Sequence, residues 1–589
     1  MEHVEASPQF KTTSLSVPSP AASHIACLNG ARLQIRCLFS LEIVRSIPLP
    51  SSQDLRTSKL AWSPPATASY STSTPPRKTP VARSNRILIA DDETTRVYDL
   101  RDDKWQAVIS NGSGGMGKNV HVGFGSSEDE VVVFSDLASK ATIWCLRTGR
   151  TIEIKDPKYS GREGRGWGYR SVKGRGGLLA MLCRSAGQDT LMLMAPRTYA
   201  VIKRAELPTV DAQGIKWSRD GRWIAVWDAP SAGYNLHILT ADGHLYRTIR
   251  RETATEYSEW SIEGLGIKTV EWVPGDEWLA VGGWDRRVRI LSTRTFSPIV
   301  FLDHTAQVDI PTTPVYTEQV DGRGERTYAI TQQPLTPPNA TPEKNETIPK
   351  MGISIMAFNQ DGTLCATRDD STPTTVWIWD LRSLKPRTIL IQHSPVKTLQ
   401  WHPANPSQLL IQCTHDSPTV YLYTAQSLSG SSSSFTPGPP EILPLSEVIT
   451  KPAGSLPVKW DMKWHATAQD RKPAFSFGHQ QGYILVWPEG KDQILRFETQ
   501  DGEESDDSLY DILTGRKPVP KLRESLLDPG SDEGDGDVGM DDFDAVEEQT
   551  YNESSGSFED TFREKRKGAS GTKGREKSVF DESGMSEMF

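Results

Sequence analysis

The stretch GIKWSRDGRWIAVWD, Gly214 to Asp228, holds an apolar strand ending in an aromatic, a polar turn around Asp-Gly, and a second apolar strand. The same phrase recurs. Close versions are TVEWVPGDEWLAVGGWDRRVRIL from Thr269, IMAFNQDGTLCATRDDSTPTTVWIWDL from Ile355 and TLQWHPANPSQLLIQCTHDSPTVYLY from Thr398, with weaker ones around Trp62, Phe124, Val172 and Trp464. The strands alternate with period two, as in Val288 and Ile290 on one face against Arg287 and Arg289 on the other. Four such short strands make a unit that cannot bury both its faces alone, so the units must stack on one another.

Spacing identifies the stack. Trp217 follows Val172 by 45 residues and Trp401 follows Phe358 by 43, the period of a WD-type propeller repeat of about 40 to 45 residues. Trp272 to Phe358 is 86 residues, and the excess coincides with the Pro/Thr-rich run VDIPTTPVYTEQVDGRGERTYAITQQPLTPPNATPEKNETIP. That run reads as an insert between blades. The expected fold is all-β: a single WD-repeat β-propeller ring of seven to nine blades over residues 10–490, beginning with HIACLNGARLQIRCLFS. Loop-like inserts are expected near 64–82, 305–349 and 427–457. Trp217, Trp272, Trp401 and Trp464 occupy one repeat position and are expected to wedge between blades. Trp379 and Asp380 form the Trp-Asp that ends a strand, and His393 is expected to bond Asp416 inside a blade, with His304 in FLDHTAQV as its equivalent.

Charge sets the tail apart. From Asp501 to Asp560 there are 20 acidic and 4 basic residues, a net of −16 within a chain whose total is −9. Residues 491–589 are therefore expected to be a disordered acidic tail. DEGDGDVGMDD within it lacks the spacing and terminal Glu of a calcium loop. No apolar run reaches the roughly 20 residues that cross a bilayer, and MEHVEASPQF lacks the pattern of a secretory signal. Cys27, Cys37, Cys145, Cys183, Cys365 and Cys413 form no CxxC pair and fall mostly in apolar strand segments, which suits reduced thiols.

The sequence offers little catalytic chemistry. GSGGMGKN, Gly112 to Asn119, fits part of a phosphate-binding loop, but Asn119 stands where the motif needs Ser or Thr, and VHVGFG continues as a strand rather than a helix. There is no HExxH or GxSxG. No catalytic, cofactor or metal residues are assigned, and the chain is read as a non-enzyme. GREGRGWGYRSVKGRGG, Gly161 to Gly177, looks like an RNA-binding segment, yet one short basic loop does not lead us to expect nucleic acid. Trp167, Trp260 and Trp284 lie off the repeated position. With Tyr257, Arg286 and Arg287, Trp260 and Trp284 are the candidate partner contacts.

EWSIEGLGIKTVEWVPGDEWLAVGGWDRRVRIL together with MGISIMAFNQDGTLCATRDDSTPTTVWIWDLRSLKPRTILIQHSPVKTLQWHP resembles the spindle-pole and centrosomal WD-repeat family, the Wdr-eight family, in what looks like a fungal member. The likeness spans about residues 10 to 490 and is most specific from Trp260 to Leu291. It implies a scaffold at the microtubule-organising centre, in cytoplasm and cytoskeleton. The implied partners are a coiled-coil spindle-pole anchoring protein and, in fungi, a minus-end-directed kinesin. A WD-repeat scaffold in an RNA-associated or ubiquitin-ligase complex is the alternative.

Overall fold

A computed structural model describes residues 4–66, 83–110, 117–136, 140–158, 166–171, 177–250, 266–341, 350–425, 437–452, 454, 457–466 and 471–491. The chain divides at Leu495, and the whole acidic segment lies outside the described residues.

The repeated phrase folds locally as its chemistry dictates. Ala212–Trp217 and Trp223–Asp228 are antiparallel strands. In the turn between them the Ser218 hydroxyl accepts the Trp223 N–H at 2.9 Å, the Asp220 carboxylate accepts the Arg222 N–H at 3.0 Å, and Gly221 takes φ +69°. A β-branched residue would be strained there.

Among the described residues nine sheets follow one another in chain order. We number the blades 1 (17–48), 2 (59–110), 3 (119–155), 4 (167–206), 5 (212–250), 6 (267–303), 7 (353–391), 8 (396–444) and 9 (461–487). Blades 1 to 8 each carry four sequential antiparallel strands, and blade 9 supplies three of its own. Its Gly482–Trp487 strand is completed by Glu5–Ala6 and Phe10–Lys11, pairing Glu5 with Trp487 and Phe10 with Tyr483. The N-terminal segment thus closes the ring.

Among the described residues nine apolar clusters occupy the nine blade boundaries. Ala26 and Leu33 of blade 1 meet Trp62 and Ile87 of blade 2, and the series continues to Phe475 of blade 9 against Leu410 and Val420 of blade 8. Tyr483 and Leu485 then meet Ile25 and Cys27 of blade 1. The core is therefore distributed between sheet faces rather than gathered at one centre. All six cysteines are free, and Cys27, Cys183, Cys365 and Cys413 are buried in these layers.

The tryptophan wedges bridge blades as expected. Each ends the first strand of its blade and donates its indole N–H to a carbonyl in the first strand of the preceding blade. The pairs are Trp62 to Val17 (2.8 Å), Trp217 to Gly168 (3.1 Å), Trp272 to Lys216 (3.2 Å), Trp401 to Ala357 (3.0 Å) and Trp464 to Gln400 (2.9 Å). Trp379 and Asp380 end the third strand of blade 7. Trp379 stacks on Trp377, and Asp380 accepts the Arg382 N–H in the following turn.

Three expectations need correction. The insert near 305–349 is not merely a loop: Val315–Val320 and Arg326–Ile330 form a hairpin. Val315–Val320 pairs in parallel with Lys385–Ile391, extending blade 7 to six strands. The range 427–457 likewise contains Glu441–Pro444, the outer strand of blade 8. His393 is exposed and does not bond Asp416. Its N–H goes to Glu318 of the hairpin at 2.8 Å, while Asp416 pairs with Lys451. The buried bond forms at His304, whose Nδ1 lies 3.2 Å from the Arg286 carbonyl and whose Nε2 lies 2.8 Å from the Thr367 hydroxyl. That hydroxyl also accepts the Trp379 indole N–H at 2.8 Å.

Candidate functional site

The turn between the second and third strands of blade 6 carries Trp284 and Arg286 and runs into Arg287, the first residue of the third strand. It lies beside Gly266, where the chain re-enters the described residues, for the Trp284 N–H donates to the Gly266 carbonyl at 3.2 Å. Tyr257 and Trp260 lie in 251–265, outside the described residues. A Cβ on Gly352 would stand 2.6 Å from the Trp284 Cα, so the segment entering blade 7 packs directly on this turn.

Each of the three residues has a different situation. Trp284 is half-buried, with the Lys268 ammonium 4.4 Å from the ring centroid, and its indole N–H meets no acceptor among the described residues. Arg287 is partly exposed and holds Asp303 at 3.0 Å, with Phe301 beneath its guanidinium. Arg286 turns inward. Its side chain is 8% exposed and pairs with Asp369 of blade 7, which is fully buried and also accepts the Gly352 N–H at 2.9 Å. Arg286 is therefore a tie between blades and not a partner contact, because withdrawing it would leave a buried carboxylate uncompensated.

Lys268 and Asp370 extend this charged seam. Lys268 donates to Asp370 and to the Met351 carbonyl, both at 2.6 Å, and burial lowers its pKa against the pull of Asp370. Burial opposes the Asp370 charge, yet hydrogen bonds from Lys268 and Ser354 keep its pKa below the usual carboxylate value. Among the described residues these groups pair with one another, and no set of three or more His, Cys, Asp or Glu could hold a metal ion.

The first strands of blades 4, 5 and 6 line a cavity of about 410 Å³, walled by Trp167, Tyr169, Trp217 and Trp227 with the Lys216–Glu271 ion pair at its side. Trp227 reaches this wall because Gly214, paired with it, has no side chain, and a Cβ there would stand 2.4 Å from the indole. Trp167 also packs on Phe134 and Tyr169, so it contributes to a layer as well as to the cavity. Lys118 of the glycine-rich stretch pairs with Asp92 at 2.8 Å, and Asn119–Phe124 is a strand, so no helix N-terminus stands there to receive a phosphate.

One buried site escaped sequence reasoning. Glu318 of the hairpin is fully buried, pairs with Arg326 at 2.7 Å and accepts the Tyr421 hydroxyl of blade 8 at 2.6 Å. Arg326 also reaches the Tyr421 and Ser417 hydroxyls, and the Tyr316 hydroxyl donates to the Pro437 carbonyl at 2.6 Å. The hairpin thus clasps blades 7 and 8. Only the alternation within VYTEQV hinted at it.

No family model matches the chain. It is 29% identical over 350 residues to the WD repeat-containing protein WRAP73 of Mus musculus, covering 56% of this chain and 71% of that one. It is 26% identical over 293 residues to an uncharacterized WD repeat-containing protein of Schizosaccharomyces pombe, covering 49% of this chain and 56% of the relative. The chain thus spans little more than half the length of the fission-yeast protein. Solved structures similar to it include the C-terminal WD40 domain of Sif2 (12% identity, TM-score 0.39, 70% of this chain and 96% of that one). Another is Sqt1 of Saccharomyces cerevisiae (8% identity, TM-score 0.40, 69% and 93%). The repeat spacing and the nine stacked blades of the described residues make this chain a β-propeller, and both relatives it is similar to are described as WD repeat-containing proteins.

Proposed function

We propose that this protein is a non-enzymatic scaffold at the microtubule-organising centre, the spindle pole body of a fungus, where it helps to anchor microtubule minus ends and organise the mitotic spindle. The observation that carries the reading is the resemblance of Trp260 to Leu291 to the spindle-pole and centrosomal WD-repeat family. It is supported by relatives described as WD repeat-containing proteins. The partners proposed are a coiled-coil anchoring protein and a minus-end-directed kinesin.

The physics suits such a role. A ring locked at every blade boundary offers two faces and a rim whose geometry changes little on binding, so partners meet a preorganised surface. The ionisable groups around the blade 6 turn compensate one another, an arrangement suited to holding a shape rather than moving a proton. Live imaging of the tagged protein through mitosis tests the reading. Concentration at spindle poles, with co-purification of the anchor and the kinesin in the absence of added nucleotide, is expected. A steady location in RNA granules would replace it with the RNA-associated scaffold.

A further inference from the structure

The outer strands of blades 4, 5 and 6 begin at one equivalent register position, just before a β-bulge, where Val201 faces Met194, Leu245 faces Leu239 and Pro298 faces Leu291. At that height each blade turns apolar side chains to solvent. Ile202 is 60% exposed, Tyr246 51% and Ile299 48%, with Val201 and Leu245 beside them.

Contacts join the three blades at this height. A Cβ on Gly243, in the turn before Leu245, would stand 3.1 Å from Leu193, 3.6 Å from Lys203 and 3.8 Å from Ala205, all of blade 4. Arg247 of blade 5 bonds the Thr295 carbonyl in the turn of blade 6, and Tyr246 packs edge-on against Phe296 there. Exposed apolar side chains repeated at one position on three adjoining blades mark an interaction site more strongly than isolated residues do.

The strip is also cationic. Arg197, Arg204 and Arg294 are exposed along it, and no carboxylate pairs with them among the described residues. Glu206, Asp242 and Glu277 are nearby acids; Asp242 lies 3.5 Å from His244, and the Glu277 carbonyl accepts the N–H of Thr293, next to Arg294, at 2.9 Å. An unneutralised basic row interleaved with apolar side chains calls for a ligand that is both acidic and apolar.

We infer that this strip on the rim of blades 4 to 6 binds an acidic amphipathic helix of a partner protein. The strip crosses three outer strands at one height. A partner strand added to an edge would run along one blade and miss the other two, whereas a helix lying across the strands meets all three with a single apolar stripe. The inference deepens the scaffold reading and rests on it for the existence of a protein partner, but it uses neither the spindle-pole location nor the blade 6 turn.

The test is fluorescence anisotropy with the full-length chain and a labelled peptide of about 18 leucine, alanine and glutamate residues whose leucines follow the helical period of about 3.6. A peptide of the same composition with permuted leucines serves as control. The expected result is saturable binding of the patterned peptide, weakened by salt. Affinity should fall about tenfold in both Ile202→Ser/Ile299→Ser and Arg204→Glu/Arg294→Glu, with melting temperatures unchanged. Equal binding of the permuted peptide, no saturable binding, or full binding by both variants overturns the inference. Preference for phosphatidylcholine–phosphatidylserine vesicles over the patterned peptide, lost in the same variants, overturns it in favour of a membrane surface. Spindle-pole location is read separately on the same variants, so failure of the location leaves the peptide result standing.

Discussion

The indole N–H of Trp272 donates to the carbonyl of Lys216 at 3.2 Å, across the boundary between blades 5 and 6. Lys216 is the residue just before Trp217, which makes the same bond to Gly168 one blade earlier. The bond therefore repeats around the ring with the wedge that carries it, and two effects of one side chain can be separated by mutation.

Trp272→Ala removes both the wedge and the bond and is expected to cost about 3–5 kcal/mol. Trp272→Phe keeps most of the wedge and should cost less, on the order of 1–2 kcal/mol for the lost bond and the smaller ring. Denaturant melts of the two variants measure the difference. Equal losses would show that the bond, not the volume, joins the blades.

Glu318 is fully buried between the hairpin and blade 8, so Glu318→Ala leaves Arg326 without its carboxylate and should cost about 3–5 kcal/mol. Tyr421→Phe removes one hydroxyl donor from the same carboxylate and should cost about 1–2 kcal/mol. Thermal denaturation with limited proteolysis at residues 305–349 checks this: the hairpin should become cleavable before the ring melts. Uniform resistance in Glu318→Ala would refute the clasp.

Arg286→Ala should destabilise the ring by several kcal/mol, since the Asp369 carboxylate stays buried without its partner. Arg287→Ala removes an exposed pair and should cost under about 1 kcal/mol. Circular-dichroism melts of both proteins decide it. A harmless Arg286→Ala would return that residue to the list of partner contacts.

Acid should loosen the ring through its buried imidazoles. Burial lowers the pKa of His304 and His402 to about 4 and of His465 to about 3, while an unfolded histidine titrates near 6.5. Between those values the unfolded chain holds more protons than the folded one. The stability these groups contribute is therefore complete above about pH 6.5 and falls as pH drops toward 4. Melting temperatures between pH 7.5 and 4.5 should decline through this window, and less steeply in His465→Gln. An unchanged slope in that variant would remove His465 from the account.

The blades were legible because their signals are local. The Asp-Gly turn, the alternation and the aromatic at the end of each first strand all sit within one period, so Trp217, Trp272, Trp401 and Trp464 could be placed by spacing alone. The hairpin was hidden because Thr and Pro dominate its surroundings, and its ordering depends on Tyr421, 103 residues from Glu318. The same remoteness explains the blade 6 turn. Nothing near Arg286 in sequence announces that Asp369, 83 residues on, will claim it. His393 misled for a related reason: it stands where a repeat places a structural histidine, but Glu318 of the hairpin engages its backbone.

Glu5 pairs with Trp487 and Phe10 with Tyr483. Glu5 and Phe10 leave the ribosome long before their partners exist. At about 5–20 residues per second, the interval is roughly half a minute to a minute and a half. Until blade 9 is made, the strands Glu5–Ala6 and Phe10–Lys11 have no partner, and the nascent chain carries them unpaired while it adds the other blades. Quality control in the cell would meet a ring that is almost entirely built and still open, with its final latch made between strands hundreds of residues apart.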